Sequence, residues 1–481
     1  MLDEIINERK KKLEVLKDNG VNAYPVEAMR TAFIGELIGK FSLFKNNRKK
    51  VYIVGRVRSI RDQGKIIFTD LEDSSGRIQL ILKKDTLKNF ELLKKTLDIG
   101  DFLEINGRAF LTKSGQKSID AVSAKLLVKS LRPLPKDFYG IEDIETRLRQ
   151  RYLDSILNPE VRELFIKKSA FWSATRTFLA GAGFLDVETP ILEATPGGAE
   201  AEPFKTHYNA LDEDFYLRIS LEISLKKMLV GGFEKVFEIG RIFRNEGIDA
   251  EHLQDYTQCE FYWAYSDYKE LMKFVEKLYK FIIKQSVGKL TIEHQGTKIN
   301  WGGKWKTVDY CQSFKKATGL EATTASRDEL LKKAHSLKIF VEPHSGKGRI
   351  IDQIFKKTVR PTLVQPTFLI NPPVFVEPLA KRSPKNPLVV ERFQVMAAGT
   401  ELGKGFSEAN DPVDQRDRFQ EQMNLRAQGD VEAQRLDEDF LEALEYGMPP
   451  ASGFGFSERL FAVLMDKPIR ETIYFPPMKR K

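Results

Sequence analysis

The stretch EKVFEIGRIFRNEG, Glu234–Gly247, alternates apolar and polar residues as far as Phe243 and then opens into a charged run closed by glycine. After the polar segment IDAEHLQDYT, Ile248–Thr257, the alternation resumes in QCEFYWAYSDY, Gln258–Tyr268. Period-two alternation on both sides of a polar loop predicts an antiparallel hairpin. Its loop end carries four groups of complementary chemistry. Arg244 offers a planar, permanently charged fork for phosphate or carboxylate, and Glu246 an acceptor for an amino group. His252 offers a donor for a distal phosphate and Tyr256 a ring on which a purine stacks. A lone arginine or histidine is more often structural than catalytic. Four such groups around one hairpin point to a nucleotide.

Neither the P-loop spacing nor a GxGxxG run opening a helix after a strand is present, so neither of those nucleotide folds is supported. Gly453 and Gly455, in GFGFSERLF (Gly453–Phe461), are spaced like half such a motif. Alone they mean close strand-to-helix packing. They precede Arg459, a second candidate phosphate cation.

Toward the amino terminus the texture changes. From Val51 come five strand-like runs, VYIVGRVRSI, KIIFTDLED, RIQLILKK, DFLEINGRAFLT and AKLLVKS, separated by turn signals, with one helix-like stretch, Asp85–Leu97, between the third and fourth. That order predicts an OB-fold, a five-stranded barrel whose face binds oligonucleotides. Arg61, Phe68 and Gln79 then form a base-reading set of cation, stacking ring and amide. Read singly, Phe68 is a core residue and the polar pair is surface. Leu2–Asp18 reads as a basic amphipathic helix, with Ile5, Ile6, Leu13 and Leu16 at helical spacing around Lys10, Lys11 and Lys12. LRPLPKDFYG, Leu131–Gly140, reads as an interdomain linker. The expected organisation is a lead-in over 1–50, the barrel over 51–130, a linker over 131–150 and a larger domain over 151–481, with a lysine-rich helical insertion at about 269–359.

The chain has 481 residues, 42% hydrophobic and 30% charged, which suits a globular protein of two or three domains. Lysine plus arginine exceeds aspartate plus glutamate by 77 to 68, a net charge of +9 that suits a polyanionic partner without demanding one. Cys259 and Cys311 have neither disulfide-framework density nor metal-ligand spacing and read as free thiols. With no apolar run of signal-peptide or membrane length, a cytoplasmic location is expected.

GFLDVETPIL (Gly183–Leu192), FRNEG with its returning strand, and GFGFSERLF resemble, in that order, the three motifs of class II aminoacyl-tRNA synthetases. More narrowly, the chain resembles the bacterial-type lysyl-tRNA synthetases. The likeness runs through GRVRSIRDQGK, DLEDSSGRIQL, SLRPLPKDFYG, ETRLRQRYLD, GGAEAEPFKTHYNALDEDFYLRIS, VEPLAKRSPKNP and GFSEANDPVDQRDRF. It implies an α+β fold: a class II synthetase antiparallel sheet flanked by helices, with the N-terminal five-stranded OB-fold barrel. It also implies ATP-dependent activation of lysine, transfer to the 3′ end of tRNA(Lys), magnesium, and a homodimer built on the first motif.

By the same resemblance Arg244 and Arg459 are the catalytic cations. Arg244 holds the α-phosphate and the substrate carboxylate; Arg459 reaches the γ-phosphate and covers one face of adenine, with Tyr256 on the other. His252 assists at the terminal phosphate and Glu246 near the base. Glu401 and Glu408, from TELGKGFSEAND, are the expected magnesium ligands. Glu260, Tyr262, Phe406 and Glu408 match the lysine pocket, Gly198 and Glu222 the positions that hold the α-amino group, and Arg61, Phe68 and Gln79 the anticodon readers.

Four positions depart from the family pattern. Gln394 stands where a second magnesium-binding glutamate is expected, and Lys404 replaces an asparagine near the substrate carboxylate, which it either pairs with or, alternatively, opposes the substrate's amino group. Glu202 replaces an arginine, and Glu458 replaces the aspartate before the third-motif arginine, a feature nearer the asparaginyl type. The rival readings are an asparaginyl- or aspartyl-type synthetase, a lysine-activating paralogue that modifies a translation factor, and a catalytically silent RNA-binding protein.

Overall fold

The computed structural model describes residues 2–47, 49–135, 143–247, 253–342, 345–429 and 433–479. They fall into two compact units, Met1–Glu142 and Asp143–Lys481. Of the expected linker, 131–150, residues 136–142 lie outside the described residues.

In the first unit the alternating runs form β1 (Val51–Asp62), β2 (Ile66–Glu72), β3 (Arg77–Lys83), β4 (Phe102–Leu111) and β5 (Lys117–Val128). They close into a barrel in the order β1-β2-β3-β5-β4, as the OB-fold reading expects. One side chain of each pair points inward, so Ile53, Val57, Leu71, Leu80, Leu103, Ile105 and Ile119 fill the interior. Gly107 sits at a register shift between β4 and β5, where a Cβ would collide with Ile119. The helix between β3 and β4 is shorter than its sequence pattern, Phe90–Thr96, because Lys83–Leu87 is spent on turns that bring the chain off the barrel. The opening helix Leu2–Asp18 buries Leu16 and Arg9, and Arg9 Nη1 donates to the carbonyl oxygens of Ser130 (2.9 Å) and Arg132 (3.1 Å).

In the second unit the strands are β6 (Leu185–Asp186), β7 (Leu192–Glu193), β8 (Lys205–Tyr208), β9 (Glu213–Leu217), β10 (Lys235–Phe243) and β11 (Asp255–Ala264). They are followed by β12 (Thr291–His294), β13 (Thr297–Asn300), β14 (Lys306–Asp309), β15 (Thr367–Ile370), β16 (Arg392–Ala397), β17 (Thr400–Ser407) and β18 (Ala451–Ser457). Eight of them form one sheet in the order β14-β15-β16-β17-β18-β11-β10-β6. Its pairings are antiparallel except at the two edges, where β14 lies parallel to β15 and β6 to β10. The α+β class and the antiparallel sheet are as expected.

One face of this sheet is the apolar core. Phe237, Cys259, Phe261, Phe393, Val395, Phe454 and Phe456 pack there against the helices Pro159–Gly181 and Tyr268–Val287. The second helix has sharp ends: Asp267 caps it by accepting from the amides of Lys269 and Glu270, and Gly288, at φ 84°, terminates it. This helix opens the stretch expected as a helical insertion. That stretch also supplies the hairpin β12–β13 and the edge strand β14; only the helices Tyr310–Thr318, Arg327–Ser336 and Lys347–Thr358 form a cluster of their own around Phe314, Leu330 and Ile354.

Candidate active site

The opposite face of the large sheet gathers most of the site residues expected in the second unit. Residues directly paired across strands point to the same face, and so do alternate residues along one strand. Glu260 on β11 faces Gly455 on β18, which faces Lys404 on β17, which faces Gln394 on β16. Two residues along, the row is Tyr262, Gly453, Phe406 and Arg392. The two β18 glycines thus form a floor with no side chains of its own. A Cβ on Gly455 would lie 3.3 Å from Glu260 Cγ, and one on Gly453 would collide with the Tyr262 ring and the Glu408 carboxylate. These glycines, which read on their own as close packing, leave room for an acidic cluster.

Glu260 is saturated. Its Oε1 accepts from Ser220 Oγ (2.8 Å), the Leu221 amide (2.9 Å) and Gln258 Nε2 (2.6 Å), and its Oε2 accepts from Tyr262 OH (3.0 Å). Glu222 opens the helix Glu222–Val230, where Lys226, one turn on, donates to its Oε1 at 2.6 Å. The same Lys226 Nζ forms an ion pair with Glu408 Oε2, and all three side chains are buried. Burial pushes the Glu222 carboxyl up to about 7 against the pull of Lys226, and burial likewise raises Glu408. Burial alone would lower Lys226, but Glu222 and Glu408 more than offset it and hold the ammonium at about 12. Gly198, at φ 81°, lies against this cluster, where a Cβ would stand 2.9 Å from that of Glu222. Phe406 lays its ring 5.4 Å from Lys226 Nζ.

At the other end of the same face, Tyr256 lies on β11 four residues before Glu260, roughly 14 Å away at the rise of a strand. Its ring centre is 5.8 Å from the guanidinium carbon of Arg244, whose Nε donates to the Ile219 carbonyl at 3.3 Å. Burial raises the Tyr256 hydroxyl, opposed by the charges of Arg244 and Arg459. Glu246 lies close enough to act on the same hydroxyl. His252 lies outside the described residues.

Glu401 and Glu408 do not come together. Seven residues along an extended strand separate their carboxylates by on the order of 20 Å, too far to share one ion. Glu401 meets Gln394 instead, whose Nε2 donates to Glu401 Oε2 at 2.6 Å. Among the described residues no group of three or more histidine, cysteine or acidic side chains has metal-holding geometry. Lys404 Nζ is held by Glu377 Oε2 at 2.8 Å, which Arg392 Nη1 shares at 3.3 Å. Burial would raise Glu377, but these two cations hold its carboxyl below the usual range. Glu202 is exposed and its carbonyl accepts from the Asn245 amide. Glu458 turns inward to pair with Lys168 and accepts from the Thr257 amide at 3.2 Å. An open cleft of about 830 Å³, lined by Trp263, Tyr265, Lys269, Lys273 and Lys277, contains none of these groups.

On the barrel, Arg61 pairs directly with Phe68, its guanidinium carbon 6.0 Å from the ring centre. Gln79 shares that face through its pairing with Asp70 but is itself buried, and its Oε1 accepts from Ser118 Oγ at 3.0 Å.

A family model described as tRNA synthetases class II (D, K and N) matches residues 143–479, and one described as OB-fold nucleic acid binding domain matches 51–134. The chain is 43% identical to a lysine–tRNA ligase of Moorella thermoacetica, over 100% of this chain and 98% of that protein. Similar figures hold for the lysine–tRNA ligases of Pelotomaculum thermopropionicum (42%, covering 99% and 95%) and Carboxydothermus hydrogenoformans (43%, covering 99% and 98%). The chain belongs to the class II lysyl-tRNA synthetase family. In this synthetase the sequence reading missed Lys226, Glu377 and Arg392. Lys226 stands one helical turn after Glu222, a spacing that signals an ion pair. Glu377 has no local signal, because its partners Arg392 and Lys404 come from two other strands.

Proposed function

We propose that the chain is a lysine–tRNA ligase that condenses lysine with ATP to lysyl-adenylate and passes the lysyl group to the 3′ end of tRNA(Lys). The single observation that carries the amino-acid assignment is the buried acidic cluster of Glu222, Glu260 and Glu408 beside Tyr262, on the same sheet face as Arg244. A buried cluster of carboxylates is stable only with cations. A substrate with an ammonium at each end, extended toward an arginine, matches it; aspartate would be repelled.

In this reading Arg244 clamps the substrate carboxylate and the α-phosphate, and Tyr256 and Arg459 sandwich adenine. The carboxylate attacks the α-phosphorus in line, a bond forms from its oxygen to phosphorus, and the bond to pyrophosphate breaks. Such a step needs positioning and charge stabilisation more than proton transfer. Glu401 is the residue that would hold magnesium, with phosphate oxygens completing the shell, and the ion would neutralise charge on the triphosphate. Glu408, paired with Lys226 in the acidic cluster, is assigned in this reading to the substrate ammonium rather than to the metal. The barrel's Arg61, Phe68 and Gln79 would read the anticodon. Leu185, Ile191 and Leu192, all exposed in the first motif, support a homodimer through that segment. A cytoplasmic location accords with this activity.

Pyrophosphate exchange over all standard amino acids tests the reading. Exchange with lysine and none with asparagine or aspartate is expected; exchange with asparagine alone would overturn it.

A further inference from the structure

The Lys226 ammonium is buried where substrate recognition is expected, and it belongs to the protein. It lies 2.6 Å from Glu222 Oε1 and is paired with Glu408 Oε2, so the two carboxylates share one cation. Two carboxylates gathered on one ammonium lie within roughly 6 Å of each other, too close for both to stay ionised without it. Phe406 and Phe440 place their rings 5.4 and 5.9 Å from Nζ and seal it from water. Glu408 Oε1, also buried, has no hydrogen-bond partner among the described residues. It lies against Gly453 and the Tyr262 ring. Glu260, by contrast, has donors on both oxygens.

Three buried carboxylates, Glu222, Glu260 and Glu408, lie together, and two of them share the Lys226 ammonium. A lysine substrate whose carboxylate is neutralised by Arg244 brings two ammonium groups.

We propose that Lys226 is a positioning residue for amino-acid binding, whose ammonium holds the Glu222 and Glu408 carboxylates together and leaves Glu408 Oε1 to receive the side-chain ammonium of the substrate. This rests on the lysine-activating reading above. Lys226 touches no reacting atom; it sets the position of two groups that bind.

The test is pyrophosphate exchange with purified full-length protein, varying lysine and ATP separately, for the wild type, Lys226→Met and Lys226→Gln. Loss of the cation should raise the KM for lysine by roughly tenfold or more, with kcat and the KM for ATP changing less than about threefold. A purely structural role would instead lower the active fraction and leave the lysine KM in place, and that result overturns the proposal. If neither variant folds, wild-type protein carrying 15N-lysine answers the question. The buried Lys226 Nζ signal should move on adding unlabelled lysine and not on adding ATP alone; a signal unmoved by lysine overturns the proposal. A wild type that shows no lysine exchange at all would instead remove the functional reading beneath it.

Discussion

The guanidinium of Arg244 stands 5.8 Å from the centre of the Tyr256 ring, at the mouth of the β10–β11 hairpin and on the face that carries Glu260 and Tyr262. A fixed cation beside an aromatic platform is an arrangement for a planar base joined to phosphate.

Arg244→Ala removes the cation and leaves the barrel untouched. Pyrophosphate exchange should fall by about 100-fold or more, the scale of losing one charge-stabilising donor. Affinity for tRNA, measured by filter binding, should stay within about twofold. Exchange within threefold of wild type would show that Arg244 does not act on the nucleotide.

Gly453→Ala tests the glycine floor. The added methyl collides with the Tyr262 ring and the Glu408 carboxylate, and overpacking of this kind costs about 1–3 kcal/mol. Urea unfolding should show a lower midpoint, and the KM for lysine should rise more than that for ATP. Equal midpoints and unchanged lysine KM would mean the two side chains have room to move.

Glu193 gives a pH signature. Burial, reinforced by Asp437 and Glu260 and opposed by Arg218 and Lys227, pushes its carboxyl up to about 8 from an ordinary value of 4.5. The folded protein therefore binds this proton more tightly than the unfolded chain does. Its stabilising contribution is fully present below about pH 4.5 and is lost as pH rises through about 8. Glu193→Gln should melt at a higher temperature than wild type at pH 8.5, with the gap narrowing toward pH 5. A gap that widens on acidification would contradict the assignment.

Phe68 separates the two units functionally. Phe68→Ala should weaken tRNA binding by about 1–3 kcal/mol, the worth of one stacked base. Aminoacylation should slow through a higher KM for tRNA while pyrophosphate exchange stays at the wild-type rate. A parallel loss of exchange would show that the substitution damages more than the barrel face.

The barrel and the hairpin were legible because their signals are local. Alternation in β4 and in β10–β11 is a property of consecutive residues, and the turn residues between them announce where each strand stops. The helix between β3 and β4 was placed but drawn too long, since its pattern of apolar residues runs on through the turns before Phe90. The stretch after Tyr268 looked helical throughout. Its strand β14 earns its place only by pairing with β15, some 60 residues later.

The sequence by itself determined the five-stranded barrel and, through motif resemblance, the α+β class and the family. Those depend on periodicity and on runs of contiguous residues. Tertiary structure alone decided which charges meet. Lys226 reaches Glu408 only because the helix after β9 covers the face where β17 ends, and Lys404 finds Glu377 rather than a partner near it in the chain. A hydrogen-bonded ion pair needs its two groups within about 4 Å, so it depends on which strands are neighbours and which way each side chain points. Neither can be read from spacing along the chain.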